Sequence, residues 1–264
     1  MSAENFPLVA VDVGNSRIKL GLYDESAADA AQPGLPVPSR TFDLGPEAAE
    51  LDRIAEWIGA ERVAQLPWWI GSVQRTVSSR LVQWLRDQGV SRIVLLASAD
   101  LPLGVALERP DMVGIDRLLG AVSANVLRPH DTPAVVVDLG TAITVDLIAA
   151  DGSFHGGAIL PGIGLAAKAL HEFTDLLPLL DMHSLAEPPP ALGTNTVSAM
   201  RAGIYWGAIG GVRHLIELLA AGLPTAPQVF LTGGAAPAVA RLVAPSAIYA
   251  PHLVLSGVAL AARK

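Results

Sequence analysis

The sequence of 264 residues contains no cysteine, and this absence excludes several kinds of chemistry at once. A chain without thiols has no disulfide, thiolate zinc site, iron–sulfur cluster or cysteine nucleophile. Charged residues make up only 16% of the chain and aromatic residues 5%. Lys and Arg together number 18 against 25 Asp and Glu, so the formal net charge is −7. Such a chain lacks the cationic field that binds phosphate backbones, and we therefore expect no nucleic-acid partner.

Long apolar runs are also missing. The longest candidate extends from Ala202 to Val212 and is closed off by Arg201 and Arg213. It is about half of the roughly 20 residues that a bilayer crossing needs, so we expect no membrane partner. The first residues, MSAENFP, have no basic n-region and no apolar h-region. We therefore expect no signal peptide and a cytoplasmic location.

Apolar residues are abundant, at 51%, which is enough for a large buried core. Continuous apolar runs at Leu8–Val13 and Ala134–Val137 are typical of buried strands, and helical spacing alternates with such runs. This alternation predicts an α/β fold. The stretch Ala27–Ser39, rich in Ala, Pro and Gly, predicts a loop.

A motif repeats across the chain. A strand followed by Asp-x-Gly, a small polar residue and a second strand occurs at Asp12 and again at Asp138, 126 residues later. A repeat at nearly half the chain length predicts two related α/β halves, residues 1–128 and 129–264, with an active cleft between them.

The first copy carries groups that suit a polyphosphate. Asp12 ends a buried strand, Gly14 allows close backbone approach, Asn15 and Ser16 offer donors, and Lys19 offers a positive charge. Together they are able to hold ATP phosphates, with Mg²⁺ bound to Asp12 through water. The alternative is an ordinary β-turn in which the polar side chains only cap backbone groups.

The second copy, Asp138 to Asp146, repeats this geometry and strengthens the nucleotide interpretation. Gly233 and Gly234, after a third apolar run, are able to border the adenosine, although a Thr-Gly-Gly sequence alone is more often an ordinary loop. Neither a Walker A motif nor a GxGxxG follows the first strand. A further tetrapeptide, Gly114 to Arg117, begins a predicted helix, where Asp116 by itself is more typical of a cap than of a catalyst.

These motifs together resemble the type III pantothenate kinases. Six segments match that family's patterns in order: Asp12–Lys19, Gly114–Arg117, Asp138–Asp146, Gly156–Gly162, Gly193–Thr196 and Thr232–Gly234. The resemblance implies a fold of duplicated acetate-and-sugar-kinase/Hsp70/actin (ribonuclease H-like) domains working as a homodimer. It also implies ATP-dependent phosphorylation of pantothenate to 4'-phosphopantothenate, the first step towards coenzyme A.

The resemblance also implies roles for individual residues. Asp116 would be the general base, and pantothenate would be lined by Gly114, Ile115, Asp116 and Arg117. Asp138 would hold a monovalent cation, K⁺ or NH₄⁺. The resemblance also implies that ATP is bound by Thr141, Gly233 and Gly234, in addition to the first loop. Thr196 would contact pantothenate across the dimer interface.

Two positions depart from the family pattern. Leu107 stands where the family usually has Tyr, in a segment that would contact pantothenate, and Ser16 replaces the commoner Thr but keeps a hydroxyl. Because the family resemblance extends to proteins described as transcriptional accessory factors, a nucleotide-binding regulatory protein without kinase activity is the main alternative. Another enzyme of the same broad fold, such as a sugar kinase, is a second one, disfavoured by chain length.

Overall fold

The computed structural model describes residues 7–24, 34–47, 50–182 and 188–263. In chain order the strands are β1 (Leu8–Val13), β2 (Ile18–Tyr23), β3 (Arg40–Leu44), β4 (Trp68–Ser72), β5 (Ile93–Leu95), β6 (Ala134–Leu139), β7 (Ala142–Ile148), β8 (Phe154–Pro161), β9 (Gln228–Thr232) and β10 (Ile248–Tyr249). The helices are α1 (Asp52–Ile58), α2 (Ala60–Gln65), α3 (Arg75–Asp87), α4 (Ile115–Leu127), α5 (Ile163–Glu172), α6 (Thr196–Ala220), α7 (Ala236–Val243) and α8 (Leu253–Ala261).

The described residues form two compact units. The first takes in those of 1–129, 152–154 and 252–264, and the second those of 130–151 and 155–251. The predicted halves met at residue 128, close to the first of these breaks. The prediction differs from the structure at the C-terminus, because α8 packs on β1 and α4 and so belongs to the first unit.

The first unit contains a five-stranded sheet in the order β3-β2-β1-β4-β5. Strands β1, β2 and β3 pair antiparallel, whereas β4 and β5 run parallel to β1. Every residue of β1 is buried, as its unbroken apolar run predicts for a strand covered on both faces. Residues of α1, α2 and α3 join one face in a core that includes Ile54, Val63 and Leu81, while α4 and α8 lie on the other.

The second unit repeats this arrangement. Its sheet has the order β8-β7-β6-β9-β10, in which β6 and β7 form an antiparallel hairpin and β9 and β10 run parallel to β6. Helices α6 and α7 supply side chains to a core on one face, among them Tyr205, Ile209 and Val239. The predicted duplication is therefore visible as two sheets of equivalent strand order.

The predicted elements are confirmed with small changes in their bounds. The hairpin strands β1 and β2 and the long helix α6 lie where the apolar patterns placed them. Three elements were not predicted: β3, α2 and β10. Of the predicted loop 27–39, residues 27–33 lie outside the described residues, and residues 34–39 contain neither helix nor strand.

Candidate functional site

In the first unit, strand register builds a row of alternating charges. Asp12 on β1 lies directly opposite Lys19 on β2, which lies opposite Asp43 on β3. Directly paired residues share one face of a sheet, so these three side chains point to the face that α4 and α8 cover. Asp12 is only 8% exposed, and a carboxylate so buried needs a positive neighbour, which the adjacent Lys19 provides.

The turn between β1 and β2 closes on itself. The Gly14 N–H donates to the carbonyl of Arg17 at 3.0 Å, while the side chains of Asn15 and Ser16 are exposed. The ordinary-turn interpretation thus accounts for Gly14. It does not account for the charges of Asp12 and Lys19, which stand on the strands that flank the turn.

Helix α4 begins at the same edge of this sheet. The Val73 N–H, just after β4, donates to the carbonyl of Val13 at 3.1 Å. A Cβ placed on Gly114 would lie 3.5 Å from Cγ1 of Val73, so the start of α4 reaches the end of β1. The structure therefore brings the start of α4 towards Asp12 and Lys19. The residues of this helix start that belong to the predicted site are Gly114, Ile115, Asp116 and Arg117.

Asp116 lies in the first turn of α4, where its Oδ1 accepts a hydrogen bond of 2.8 Å from the backbone N–H of Arg117. Burial raises the pKa of Asp116, whereas the hydrogen bond from Arg117 and the charges of Arg117 and Lys19 lower it. The sequence alone predicts that the neighbouring Arg117 keeps Asp116 ionised, because an opposite charge lowers the pKa of a carboxyl. Burial is the larger effect, and the net pKa is above the usual value, which suits a group that must accept a proton.

The segment that carries Leu107 lies beside this helix start. Leu107 is half-buried, and the Arg109 guanidinium next to it donates two hydrogen bonds to Asp111, at 2.9 and 2.7 Å. Both members of this pair are exposed, and such pairs are weak. Two residues after Leu107, Arg109 is a candidate by sequence for reaching a substrate carboxylate, but in the structure it is already engaged by Asp111.

In the second unit, Asp138 occupies the position on β6 that Asp12 occupies on β1. It lies directly opposite Thr144 on β7 and Thr232 on β9, so a hydroxyl-bearing residue flanks it on each side. Thr141, in the tight turn between β6 and β7, is exposed. The second loop therefore repeats the geometry of the first, with Thr144 where the first has Lys19 and Thr232 where it has Gly71.

Two glycines shape this loop. Gly233 has a φ of 95°, and a Cβ there would lie within 2.4 Å of Asp138 Oδ1 and overlap the backbone of Leu139. A Cβ at Gly162 would overlap the carbonyl oxygens of Gly140 and Thr141, and the Gly162 N–H donates to Thr141 at 3.0 Å. Gly233 therefore packs directly against the Asp138 carboxylate, where a larger residue does not fit. Gly234 follows directly, at the start of the turn into α7.

Thr196 stands apart from these loops in the sequence and begins α6. Asn195 caps this helix: its Oδ1 accepts from Ser198 N–H at 2.9 Å, and its own N–H donates to Ser198 Oγ at 3.1 Å. A Cβ on Gly193 would overlap the backbone of Ala199. Gly193 and Asn195 thus have structural roles in the helix start, whereas the Thr196 side chain is exposed.

Three polar residues near these loops had no role in the sequence analysis. Asp43 ends the charge row, and His252, just before α8, is close enough to Lys19 and Asp43 for both charges to act on it, although burial is the larger cause of its lowered pKa. Asp146 is 1% exposed and lies opposite Val136 on the face of β7 that also carries Thr144. Asp146 belongs to the repeated sequence motif, whereas only strand pairing and tertiary packing place Asp43 and His252 near these loops.

The residues fit the metals that the resemblance implies. Within the described ranges, no group of three or more His, Asp or Glu residues is able to hold a metal ion by itself. Mg²⁺ that arrives with nucleotide phosphates needs only one or two protein carboxylates and keeps several waters, and Asp12 supplies one. The Asp138 carboxylate, flanked by Thr144 and Thr232, supplies oxygen donors of the kind that a monovalent cation takes.

Comparison with known proteins identifies the family. The family model described as type III pantothenate kinase matches residues 8–218. The chain belongs to the type III pantothenate kinase family. A type III pantothenate kinase of Rhodopirellula baltica is 35% identical over 93% of this chain and 95% of its own length. One of Dehalococcoides mccartyi strain CBDB1 is 32% identical over 95% and 93%, respectively.

Solved structures of lower identity show the fold. A Sinorhizobium meliloti chain described as a 2-dehydro-3-deoxygalactonokinase has a TM-score of 0.57 at 19% identity, covering 97% of this chain and 98% of its own. The activator of 2-hydroxyisocaproyl-CoA dehydratase from Clostridium difficile, solved with ADPNP, has a TM-score of 0.51 at 11% identity, covering 97% and 93%. The predicted fold of duplicated acetate-and-sugar-kinase/Hsp70/actin domains is confirmed. None of the described helices combines the length and apolar composition needed to cross a bilayer.

Proposed function

We propose that this chain transfers the γ-phosphoryl group of ATP to the hydroxyl of pantothenate, giving 4'-phosphopantothenate and ADP, the first step of coenzyme A biosynthesis. Family membership supports the reaction. The observation that carries it in this chain is Asp116, a partly buried carboxylate of raised pKa. It lies at the edge of the sheet where Asp12, near the end of β1, faces Lys19, near the start of β2. In the transfer, the pantothenate oxygen bonds to phosphorus as the bond from phosphorus to the ADP oxygen breaks. The hydroxyl proton passes to Asp116.

Asp12 and Lys19 act on the phosphates. Phosphoryl transfer needs positioned reactants and neutralised charge more than covalent chemistry from the protein. Lys19 places a positive charge there, Asn15 and Ser16 offer exposed donors, and Asp12 would hold Mg²⁺ through water. Bound Mg²⁺ supplies charge neutralisation between the phosphates. Lys19 lies between Asp12 and Asp43 in the strand register, and Asp43 also pairs with Arg17 at 3.7 Å.

The second unit would hold the rest of the nucleotide. Asp138 would bind K⁺ or NH₄⁺ beside Thr144 and Thr232, and such a cation supplies further positive charge towards ATP. Thr141 would contact ATP from its exposed turn, and Gly233 and Gly234 would border the adenosine.

The active form is a homodimer in this proposal, and α6 supports it. Gly203, Gly207 and Gly210 lie on exposed positions of α6, and within the described residues a Cβ at any of them meets nothing within 4 Å. Because none of the described residues packs against these glycines, they suit close approach by a second copy of the chain. Near the start of the same helix, Met200 and Gly203 line an apolar groove with Phe173 of the α5 end, which is 82% exposed. Thr196 would contact pantothenate across this interface, and the protein would work in the cytoplasm.

A coupled assay for ADP release tests the proposal, with ATP, Mg²⁺ and pantothenate, in KCl and in NaCl. We expect turnover that depends on pantothenate and is greater in KCl. The controls omit pantothenate or replace it with glucose, which tests the sugar-kinase alternative. ATP binding without pantothenate-dependent turnover would favour the nucleotide-binding regulatory protein instead.

A further inference from the structure

Phe154 contacts the two parts of the first unit to which pantothenate binding is assigned. It is fully buried, and it belongs to a three-residue segment, 152–154, that packs in the first unit. Its ring lies under the guanidinium of Arg117, whose Cζ is 5.6 Å from the ring centroid. At this distance the ring attracts the cation and fixes the plane over which the guanidinium lies.

The backbone of the same residue holds the segment that leads to Leu107. The Phe154 N–H donates to the carbonyl of Gly104 at 2.8 Å, and its carbonyl accepts from Ala106 N–H at 2.9 Å. Val105 thus forms a parallel bridge with Phe154. The chain leaves this bridge at Ala106, so the position of Leu107 depends directly on it.

The segment 152–154 is itself fixed to α4. Asn125 Nδ2 donates to the carbonyl of Gly152 at 2.7 Å, and Asn125 Oδ1 accepts from Arg128 Nε at 2.7 Å. Asn125 lies near the C-terminal end of α4, whereas Arg117 lies in its first turn. A segment tied to one end of α4 therefore places an aromatic ring under the cation at the other end.

We propose that Phe154 is a positioning residue for pantothenate: it sets the direction of the Arg117 guanidinium and the place of Leu107, without touching the reacting atoms. This inference rests on the proposed function, in which Arg117 and Leu107 line pantothenate. A fully buried aromatic ring is sufficient for packing alone. The ring also holds the Arg117 cation, which an aliphatic side chain of similar size does not do, whereas the bridge to residues 104–106 is made by the backbone of residue 154 and persists in its variants.

The test compares Phe154→Leu, Phe154→Met and Phe154→Tyr in the full chain. Loss of the ring should raise the KM for pantothenate by about 2- to 30-fold, the range that corresponds to a cation–π contact. The KM for ATP should stay unchanged, and kcat should change little, because Asp116 and the phosphate loops remain in place. Phe154→Tyr keeps the ring and should restore the wild-type KM. Phe154→Met serves as the ring-free variant if the leucine variant does not fold.

Two controls separate positioning from general loss of stability. Trp69→Leu removes a comparable pair, in which Arg92 Cζ lies 5.3 Å from the Trp69 ring, and should leave the KM for pantothenate unchanged. In the background of Arg117→Met, Phe154→Leu should lose most of its effect on kcat/KM for pantothenate. An equal effect in both backgrounds, or KM values for pantothenate and ATP that rise together, would overturn the positioning role. Wild-type protein without pantothenate-dependent turnover would overturn the proposed function itself, which is a different result.

Discussion

Asp116 Oδ1 accepts a 2.8 Å hydrogen bond from the backbone N–H of Arg117, the next residue along α4. An asparagine oxygen is able to accept the same bond, so Asp116→Asn should fold and bind ATP as the wild type does. It should nevertheless lose about 10²- to 10⁴-fold in kcat, the usual contribution of a positioned general base. Steady-state kinetics and calorimetric ATP binding measure the two effects.

A matched variant exists for this comparison. Asp100 Oδ2 accepts a 2.7 Å hydrogen bond from the Ala97 N–H at another short helical turn. Asp100→Asn should therefore leave kcat near the wild-type value. Near-normal turnover of Asp116→Asn would show that Asp116 is only a helix cap.

The raised pKa of Asp116 predicts a dependence of stability on pH. In the unfolded chain this carboxyl titrates near about 3.9, and burial raises its pKa in the folded state. Below the unfolded value both states are protonated and the folded protein has the full contribution of the neutral group. As pH rises through the folded pKa, that contribution is lost.

Asp116→Asn keeps a neutral side chain at every pH. It should therefore melt at a higher temperature than the wild type at neutral pH, with a difference that shrinks as pH falls through the folded pKa and is absent below about 4. Thermal melts across this range check the sign. A variant that is less stable at neutral pH would mean that Lys19 and Arg117 outweigh burial.

The sequence predicted the two loops well, because each follows an unbroken apolar run that only a buried strand accommodates. Strand β3 was missed because only Phe42 and Leu44 contact the core, while Arg40, Thr41 and Asp43 are exposed. An edge strand of this kind resembles a polar loop in composition. Asp43 was missed with it, since only the register of β3 against β2 places it opposite Lys19.

The C-terminal helix was predicted as an element but not in its position. Apolar composition predicts that Leu253–Ala262 is buried, yet the partners that bury it, β1 and α4, lie more than a hundred residues away. Motif spacing holds no information about such contacts. The histidines lack metal-ligand spacing, so the sequence predicts only that His252 is a surface or satisfied residue, whereas the structure brings it close to the charges of Lys19 and Asp43.

Gly233 tests the cation site at Asp138. Gly233→Ala would place a methyl group against Asp138 Oδ1, so the variant should lose the activation by K⁺ or NH₄⁺ over Na⁺ while its Mg²⁺ requirement remains. Gly59→Ala is the control for backbone strain, because Gly59 has a φ of 93° and nothing within 4 Å of an added Cβ. That variant should lose stability but keep its response to K⁺. Wild-type activity that is equal in NaCl and KCl would remove the cation role of Asp138.

The exposed glycines of α6 test the dimer. Light scattering at micromolar protein should give twice the chain mass of 27.4 kDa. Gly207→Glu should favour the isolated helix by roughly 0.5–1 kcal/mol through propensity. It should nonetheless dissociate the dimer, because it brings like charges together at a two-fold contact. Gly222→Glu adds the same charge at an exposed position beyond the helix and should leave the dimer intact. If the wild-type protein has the mass of a single chain, both the dimer and the assignment of Thr196 to a partner's site are wrong.

Leu107 stands where the family resemblance implies a tyrosine. A tyrosine there offers a ring and a hydroxyl donor to an amide-bearing substrate, whereas leucine offers apolar area alone. One net hydrogen bond is worth about 0.5–1.5 kcal/mol, or several-fold in affinity.

Because Arg109 is held by Asp111, it contributes nothing to pantothenate binding unless that exposed pair opens. We therefore expect Leu107→Tyr to lower the KM for pantothenate several-fold, and Asp111→Asn to lower it only if the freed Arg109 reaches the substrate carboxylate. Kinetics of the two variants and of their combination decide between these contributions. The contrary result is a wild type that binds ATP without pantothenate-dependent turnover, with no turnover restored by Leu107→Tyr. That result would mean that this chain binds the nucleotide but does not catalyse the kinase reaction.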